Sequence, residues 1–253
     1  MQIHGLQKVT LIDYPELMAA TVFTAGCNFR CPFCHNASLV THINKENQIP
    51  VAKVIDYLKK RKNVLQGVCI SGGEPLLQLG LEDFIKEVKE LGYLVKLDTN
   101  GSNLEKLKTL VEQSLVDYVA MDIKNAPEKY AMTSGFESIT SNQQENIDII
   151  GSAGEVLLNE KLLSQVTAVV DYLKTDAVPY EFRTTLVREF HKREDIENIG
   201  KWLIGAEKYY LQKFNDSGDL IGDKLRPYSD EIMKQALEIV KAYVPKAKIR
   251  DLS

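Results

Sequence analysis

Apolar positions along this chain fall into two alternating patterns. Short uncharged runs rich in β-branched and aromatic residues are followed by longer segments whose apolar residues recur every three or four positions. Ala19 to Phe23, Gly67 to Ser71, Leu94 to Leu97, Val116 to Ile123, Tyr180 to Val187 and Lys208 to Phe214 read as strands. Helices are predicted from Pro50 to Lys60, through Leu81, Phe84, Ile85, Val88 and Leu91, and through Leu104, Leu107, Leu110 and Val111. Pro50 suits a first helical position, Asn103 an N-cap and Gly92 a stop. Residues 125–140 read as loop, and residues 142–175 as mostly helix broken around Gly151 to Gly154. Further helices run from Glu194 to Ile204 and through Ile232, Met233, Ala236, Leu237 and Val240. About six β/α units in alternation predict an α/β fold, a parallel sheet covered by helices. The count fits a partial (β/α)6 barrel better than the full eightfold one. No Gly/Ser/Pro-rich linker or repeat interrupts it, so residues 1–253 read as one domain.

Composition narrows the class. At 253 residues the chain can bury a sizeable core without disulfide or metal staples. Its 31 basic and 35 acidic residues leave a net charge of −4, which argues against a protein that coats nucleic acid. No apolar run reaches the roughly 18 residues of a membrane span. Asp13, Pro15 and Glu16 interrupt any signal-like start, so a cytoplasmic protein is expected. Four cysteines are too few for a disulfide framework.

Three of those four fall in Cys27-Asn-Phe-Arg-Cys31-Pro-Phe-Cys34, just after the first predicted strand. That spacing points to metal or redox chemistry in a reducing compartment. Two readings stand: an iron–sulfur cluster with one iron left open, or a structural zinc completed by His35. Cys69 lies inside a strand and reads as a small buried residue. Other polar motifs follow the later strands, where barrels place their active sites. Ser71-Gly72-Gly73-Glu74-Pro75 and Asp98-Thr99-Asn100-Gly101 each read alone as ordinary turns. Asp122 and Lys124 share one face at the spacing of two, as a surface ion pair would. Arg183, between apolar neighbours in a strand, requires an anionic partner.

Taken together, GLQKVTLIDYP (5–15), CNFRCPFCHN (27–36), SGGEPLLQ (71–78), VKLDTNGSN (95–103), VDYVAMDIK (116–124) and YEFRTTLV (180–187) resemble the radical S-adenosylmethionine (SAM) superfamily. Within it the chain is similar to activating proteins of glycyl-radical enzymes, above all those of anaerobic ribonucleoside-triphosphate reductase. The resemblance implies a radical SAM type of partial barrel with a [4Fe–4S] cluster on Cys27, Cys31 and Cys34. It implies SAM contacts from Phe33, His35, Asn36, Gly72, Gly73, Glu74, Asp98, Lys124 and Arg183. Phe33 would pack against adenine, Glu74 would meet the methionine ammonium, and Arg183 would meet the carboxylate. His35 and Asn36 would touch the nucleoside. By the same resemblance Asp98, Thr99 and Asp122 would hold a monovalent cation, for which oxygen-rich groups are suited.

The implied activity is reductive cleavage of SAM, followed by hydrogen abstraction from a glycine Cα of a partner. The implied partners are the large subunit of the anaerobic reductase and a flavodoxin-type electron donor. Three departures stand out: Glu16 where the family commonly has Gly, a segment at 151–166 longer than the pattern, and Gln212 to Asn215 without the His found near that point in pyruvate formate-lyase activases. A pyruvate formate-lyase-type activase, a radical SAM enzyme acting on a small molecule such as a deazapurine, and a non-catalytic zinc-binding module are the alternatives.

Overall fold

The computed structural model describes residues 1–135 and 151–250. Eight strands form one sheet in sequence order. They are β1 (Ile3–Thr10), β2 (Ala19–Thr24), β3 (Gly67–Gly72), β4 (Leu94–Thr99), β5 (Tyr118–Asp122), β6 (Tyr180–Leu186), β7 (Tyr209–Lys213) and β8 (Lys248–Arg250). β1 runs antiparallel to β2, and every later neighbour is parallel. β2 to β7 are the six strands expected from the alternation. Among the described residues β1 and β8 do not pair, so the barrel is partial and unclosed.

Two strands escaped the sequence reading for physical reasons. β1 is a half-exposed edge buried only at its ends, so it lacks the apolar run that marks a central strand. β8 is three residues long. The α-helices among the described residues are α1 (Ala37–Val40), α2 (Val51–Arg61), α3 (Leu81–Glu90), α4 (Leu104–Glu112), α5 (Tyr130–Thr133), α6 (Gly151–Leu173), α7 (Arg193–Trp202) and α8 (Asp230–Lys241). The loop expected at 125–140 instead holds a 3-10 turn at Pro127–Lys129 followed by α5. α6 begins at Gly151 and runs unbroken through Gly154, so no break falls between them. The internal Gly154 costs about 1 kcal/mol. Burial of Leu162, Val166, Val169, Val170 and Leu173 on the same helix outweighs that. Residues 136–150, which hold the end of the expected loop and the start of the expected helix, lie outside the described part.

The helices bury the stripes that the sequence predicted. Val54, Ile55 and Leu58 of α2 and Phe84, Ile85 and Val88 of α3 lie in one continuous core with the central strands. The outer edges are held by local devices. Ile49 bridges Ile3, and the Tyr57 hydroxyl of α2 donates to the Lys8 carbonyl at 2.7 Å, so α2 and its approach cover the open side of β1. β8 is locked by charge. Arg250 donates to both oxygens of fully buried Glu181 on β6, at 2.9 and 2.8 Å, and lies 4.2 Å above the Tyr210 ring. The Tyr118 hydroxyl donates to the same carboxylate at 3.1 Å. Glu16, where the resembled family favours Gly, has φ +64°, a left-handed conformation that strains a residue with a Cβ.

Two stability measurements follow. Arg250→Ala strands the Glu181 carboxylate in the core and is expected to cost about 3 kcal/mol by denaturant unfolding. Glu16→Gly relieves the left-handed strain and is expected to raise stability by about 1 kcal/mol in the same assay.

Candidate active site

The C-terminal ends of β2 to β7 surround a cavity of about 230 Å³. Period-2 alternation puts every second side chain of these strands inside the barrel. The inward set is polar well below the mouth: Cys69, Lys96 and Glu181 stand two residues before Ser71, Asp98 and Arg183 on the same faces of β3, β4 and β6. Cys27, Cys31 and Cys34 line the cavity with Ser71, Asp98, Asp122, Lys124 and Arg183, so residues singled out in five separate motifs meet in one place.

The cysteine loop follows β2 and is clamped at both ends. Gly26 N–H donates to the Leu39 carbonyl at 2.8 Å, and Arg30 N–H to the Ser134 carbonyl at 2.9 Å. Gly222 N–H reaches the Pro32 carbonyl at 2.7 Å from the loop after β7. All three thiols are free. Burial pushes Cys27 up to about 11 and Cys31 up to about 12, and raises Cys34 as well. A bound cationic iron reverses that cost by coordinating the thiolate. Among the described residues no three His, Cys, Asp or Glu side chains converge as a single-ion site. Thiols that border a common cavity without meeting at one point suit a cluster, whose separate irons each take one sulfur. Cys27 Sγ also accepts from Phe29 N–H at 3.3 Å and lies 3.8 Å from the Asn100 amide, the kind of donor that tunes an iron–sulfur centre. The residues present therefore fit the cluster, whereas the zinc reading finds no convergent ligand set that includes His35 among the described residues. His35 Nε2 lies 2.8 Å from the Asn215 carbonyl, and its ring stacks on Phe214 at 5.6 Å.

Across the cavity an ionic chain joins β4, β5 and β6. Arg183 Nε donates to Asp122 Oδ1 at 2.9 Å, and its Nη1 lies 3.5 Å from Asp98 Oδ2. Lys124 donates to Asp122 Oδ2 at 3.1 Å, and Ser71 Oγ to Asp98 Oδ2 at 2.9 Å. Lys96 pairs with Asp98 Oδ1. Burial alone would raise both carboxyls. Arg183 with Lys124 at Asp122, and Arg183 with Lys96 at Asp98, outweigh it and hold both below the usual range. Arg183 thus has the anionic partners its strand position demanded. Its partners are protein carboxylates. Lys96 was missed by the sequence reading. The i, i+2 spacing in Val95-Lys96-Leu97-Asp98 carried the same signal that exposed Asp122 and Lys124.

Gly72 and Gly73 line the cavity, whereas the Glu74 side chain does a different job from the one expected. Glu74 is fully buried, outside the cavity lining, and spent on the Asp98–Gly101 turn. It accepts from Thr99 Oγ1 at 2.9 Å, Asn100 N–H at 2.7 Å and Leu76 N–H at 3.0 Å. Burial nonetheless pushes its carboxyl up to about 7. An ammonium contact from the Glu74 side chain is thereby replaced by a turn-to-turn tie. Gly73 N–H and Glu74 N–H zip onto the Thr24 and Gly26 carbonyls at 2.8 Å each. A Cβ at Gly73 would lie 2.1 Å from Gly26 O, so that glycine is required by backbone approach. Asn36 Nδ2 donates to Gly72 O at 3.2 Å, closing the same seam.

Asp98, Thr99 and Asp122 do come together, but as cation ligands they are already engaged. Thr99 Oγ1 donates to Glu74 and accepts from Gly101 N–H. Phe33 is buried against Phe190 at 5.9 Å and His191 at 6.1 Å, with one face on the cavity. His191, also missed, accepts from Val187 N–H at Nδ1 and donates from Nε2 to the Lys124 carbonyl at 2.8 Å. It thereby fixes the backbone beside the ionic chain. A buried His in a loop gave no sequence signal. Gln212 and Thr185, paired in register on β7 and β6, complete the wall.

Comparison with known proteins agrees with this arrangement. A model of the radical SAM superfamily matches residues 21–176. A Methanocaldococcus jannaschii protein, provisionally named a glycyl-radical enzyme activating enzyme, is 29% identical over 255 residues, covering 99% of this chain and 96% of its own. A pyruvate formate-lyase-activating enzyme of Clostridium pasteurianum is 25% identical over 213 residues, covering 82% and 85%. Among solved structures, a domain of a pyruvate-formate lyase-activating enzyme from Bacteroides vulgatus has a TM-score of 0.51 at 18% identity, covering 74% of this chain and 99% of that one. Streptococcus suis SuiB bound to S-adenosylmethionine has a TM-score of 0.61 at 14% identity, covering 90% and 49%. Those two structures share the fold. With a superfamily model matched over more than half its length, and three free thiols at the mouth of an unclosed parallel barrel, the chain belongs to the radical SAM superfamily.

Proposed function

We propose that this chain is a glycyl-radical enzyme activase. One observation carries the reading: three free thiols and a cation-rich ionic chain share one cavity at the mouth of a barrel whose edge strands do not pair. When bound, a [4Fe–4S] cluster and SAM supply one-electron reduction and a carbon radical strong enough to take a glycine Cα hydrogen. The protein supplies placement. Cys27, Cys31 and Cys34 hold the cluster. Arg183 and Lys124 present positive charge at the mouth, suited to the SAM carboxylate. Phe33, backed by Phe190 and His191, offers a ring edge or face to the nucleoside, and His35, stacked on Phe214, also lines the cavity. Excluding water from this lining protects a radical from side reactions.

The curated relatives support activase chemistry on a protein substrate, since two of them are named for it. The partner we assign is the large subunit of an anaerobic ribonucleoside-triphosphate reductase, with a flavodoxin-type donor supplying the electron. Gln212 in the cavity wall, near which pyruvate formate-lyase activases carry a His, supports that choice. The Clostridium pasteurianum relative supports the second reading, a pyruvate formate-lyase partner. No helix among the described residues is long and apolar enough to cross a membrane. Three free thiols suit the reducing cytoplasm, where we place the protein.

The deciding experiment reconstitutes the cluster without oxygen, reduces it, and adds SAM with the reductase large subunit from the same organism. A glycyl doublet in the electron paramagnetic resonance spectrum of the reductase is expected. 5′-Deoxyadenosine formation with a doublet on pyruvate formate-lyase alone would shift the assignment to the second reading. Cys31→Ala is expected to lose iron loading and SAM cleavage together. Retention of both would refute the ligand assignment.

A further inference from the structure

Lys96 is 1% exposed, an extreme position for an ammonium. It rises from the floor of the site on the same face of β4 as Asp98, with Nζ on Asp98 Oδ1 and 3.8 Å from Cys69 Sγ. The sequence resemblance assigns a monovalent cation to this place, held by Asp98, Thr99 and Asp122. The residues do not fit one. Asp98 Oδ1 is taken by Lys96, and Oδ2 by Ser71 and Arg183. Asp122 Oδ1 is taken by Arg183 and Oδ2 by Lys124. The Thr99 hydroxyl both donates to Glu74 and accepts from Gly101 N–H.

The charge count agrees. Lys96, Arg183 and Lys124 stand against Asp98 and Asp122, three positive charges against two negative. A further cation would add to an excess already present, in a cavity where screening by water is weak. Without Lys96 the excess is gone and Asp98 Oδ1 loses its partner. That unpaired oxygen is what a bound K+ or Na+ would meet.

We propose that the Lys96 ammonium is a built-in replacement for the monovalent cation, a positioning residue that neutralises Asp98 and makes SAM binding independent of K+ and Na+. The proposal rests on SAM being the ligand of this cavity. It predicts a conditional defect: removing Lys96 creates a vacancy that an inorganic ion can fill.

The test measures SAM half-saturation of the reconstituted chain in potassium, sodium or tetramethylammonium chloride at equal ionic strength. The unaltered chain is expected to vary less than about twofold among the three salts. Lys96→Ala is expected to bind SAM about tenfold more weakly in tetramethylammonium and to recover most of that in potassium or sodium. An unaltered chain that needs K+ or Na+ overturns the proposal. So does a Lys96→Ala chain whose weakened binding no salt restores, because that marks Lys96 as a packing residue only. Thallium(I) NMR line width on the SAM-free chain reads the same claim without SAM or turnover. Broadening is expected with Lys96→Ala, and broadening with the unaltered chain overturns the proposal. An unaltered chain that fails to bind SAM but shows no thallium broadening would defeat the ligand reading while leaving the missing cation site in place. Should Lys96→Ala fold poorly, Lys96→Met keeps the apolar stem and is scored the same way.

Discussion

Two carboxylates at the mouth of the barrel must be neutralised before anything else there can be assembled. Asp98 and Asp122 end neighbouring strands, and bringing β4 and β5 into parallel register brings their charges together. Arg183 on β6 bridges them, Lys124 closes one end and Lys96 the other. The bridge spans three adjacent strands, so strand pairing and site charge reinforce each other. Breaking one member would leave an unpaired buried charge, a cost of several kcal/mol. The same constraint continues inward through Glu181, which alternates with Arg183 on β6 and is held by Arg250 on the last strand. Polar order in this barrel thus runs from its final strand to its mouth.

A second consequence concerns rigidity. The loops after β2, β3 and β4 are sewn together by backbone hydrogen bonds and by one buried carboxylate, Glu74. Gly73 permits the closest approach. Three thiols on a loop of this kind are held by its neighbours instead of by their own sequence. A cluster loaded there meets a preformed frame, which reduces the ordering cost of binding.

Much of this was legible beforehand. The six central strands followed from short apolar runs alternating with helical stripes, and the cysteine spacing with the strand-end motifs located the cavity. What escaped did so for identifiable reasons. β1 and β8 are edges, one half-exposed and one short, so neither carries a buried strand's pattern. Glu74 was read as facing a ligand because its motif lies beside the site; which side of a turn a carboxylate faces depends on donors from a distant segment, here Thr99 and Asn100. His191 took its place from contacts 67 residues away in the chain. Lys96 shows the reverse case. Its alternation with Asp98 was plain, but a lysine in a strand is ordinarily solvated, and only the curvature of the sheet around it turns that expectation around.

An open barrel has two edge strands, and each carries a row of backbone groups able to pair with another molecule. Ile49 and Tyr57 already occupy the two ends of that row on β1, while β8 is too short to template much of anything. The molecule can therefore keep its side unsealed without offering a continuous ribbon on which copies would stack. A tyrosine hydroxyl and a single bridge are enough to interrupt the longer of the two edges.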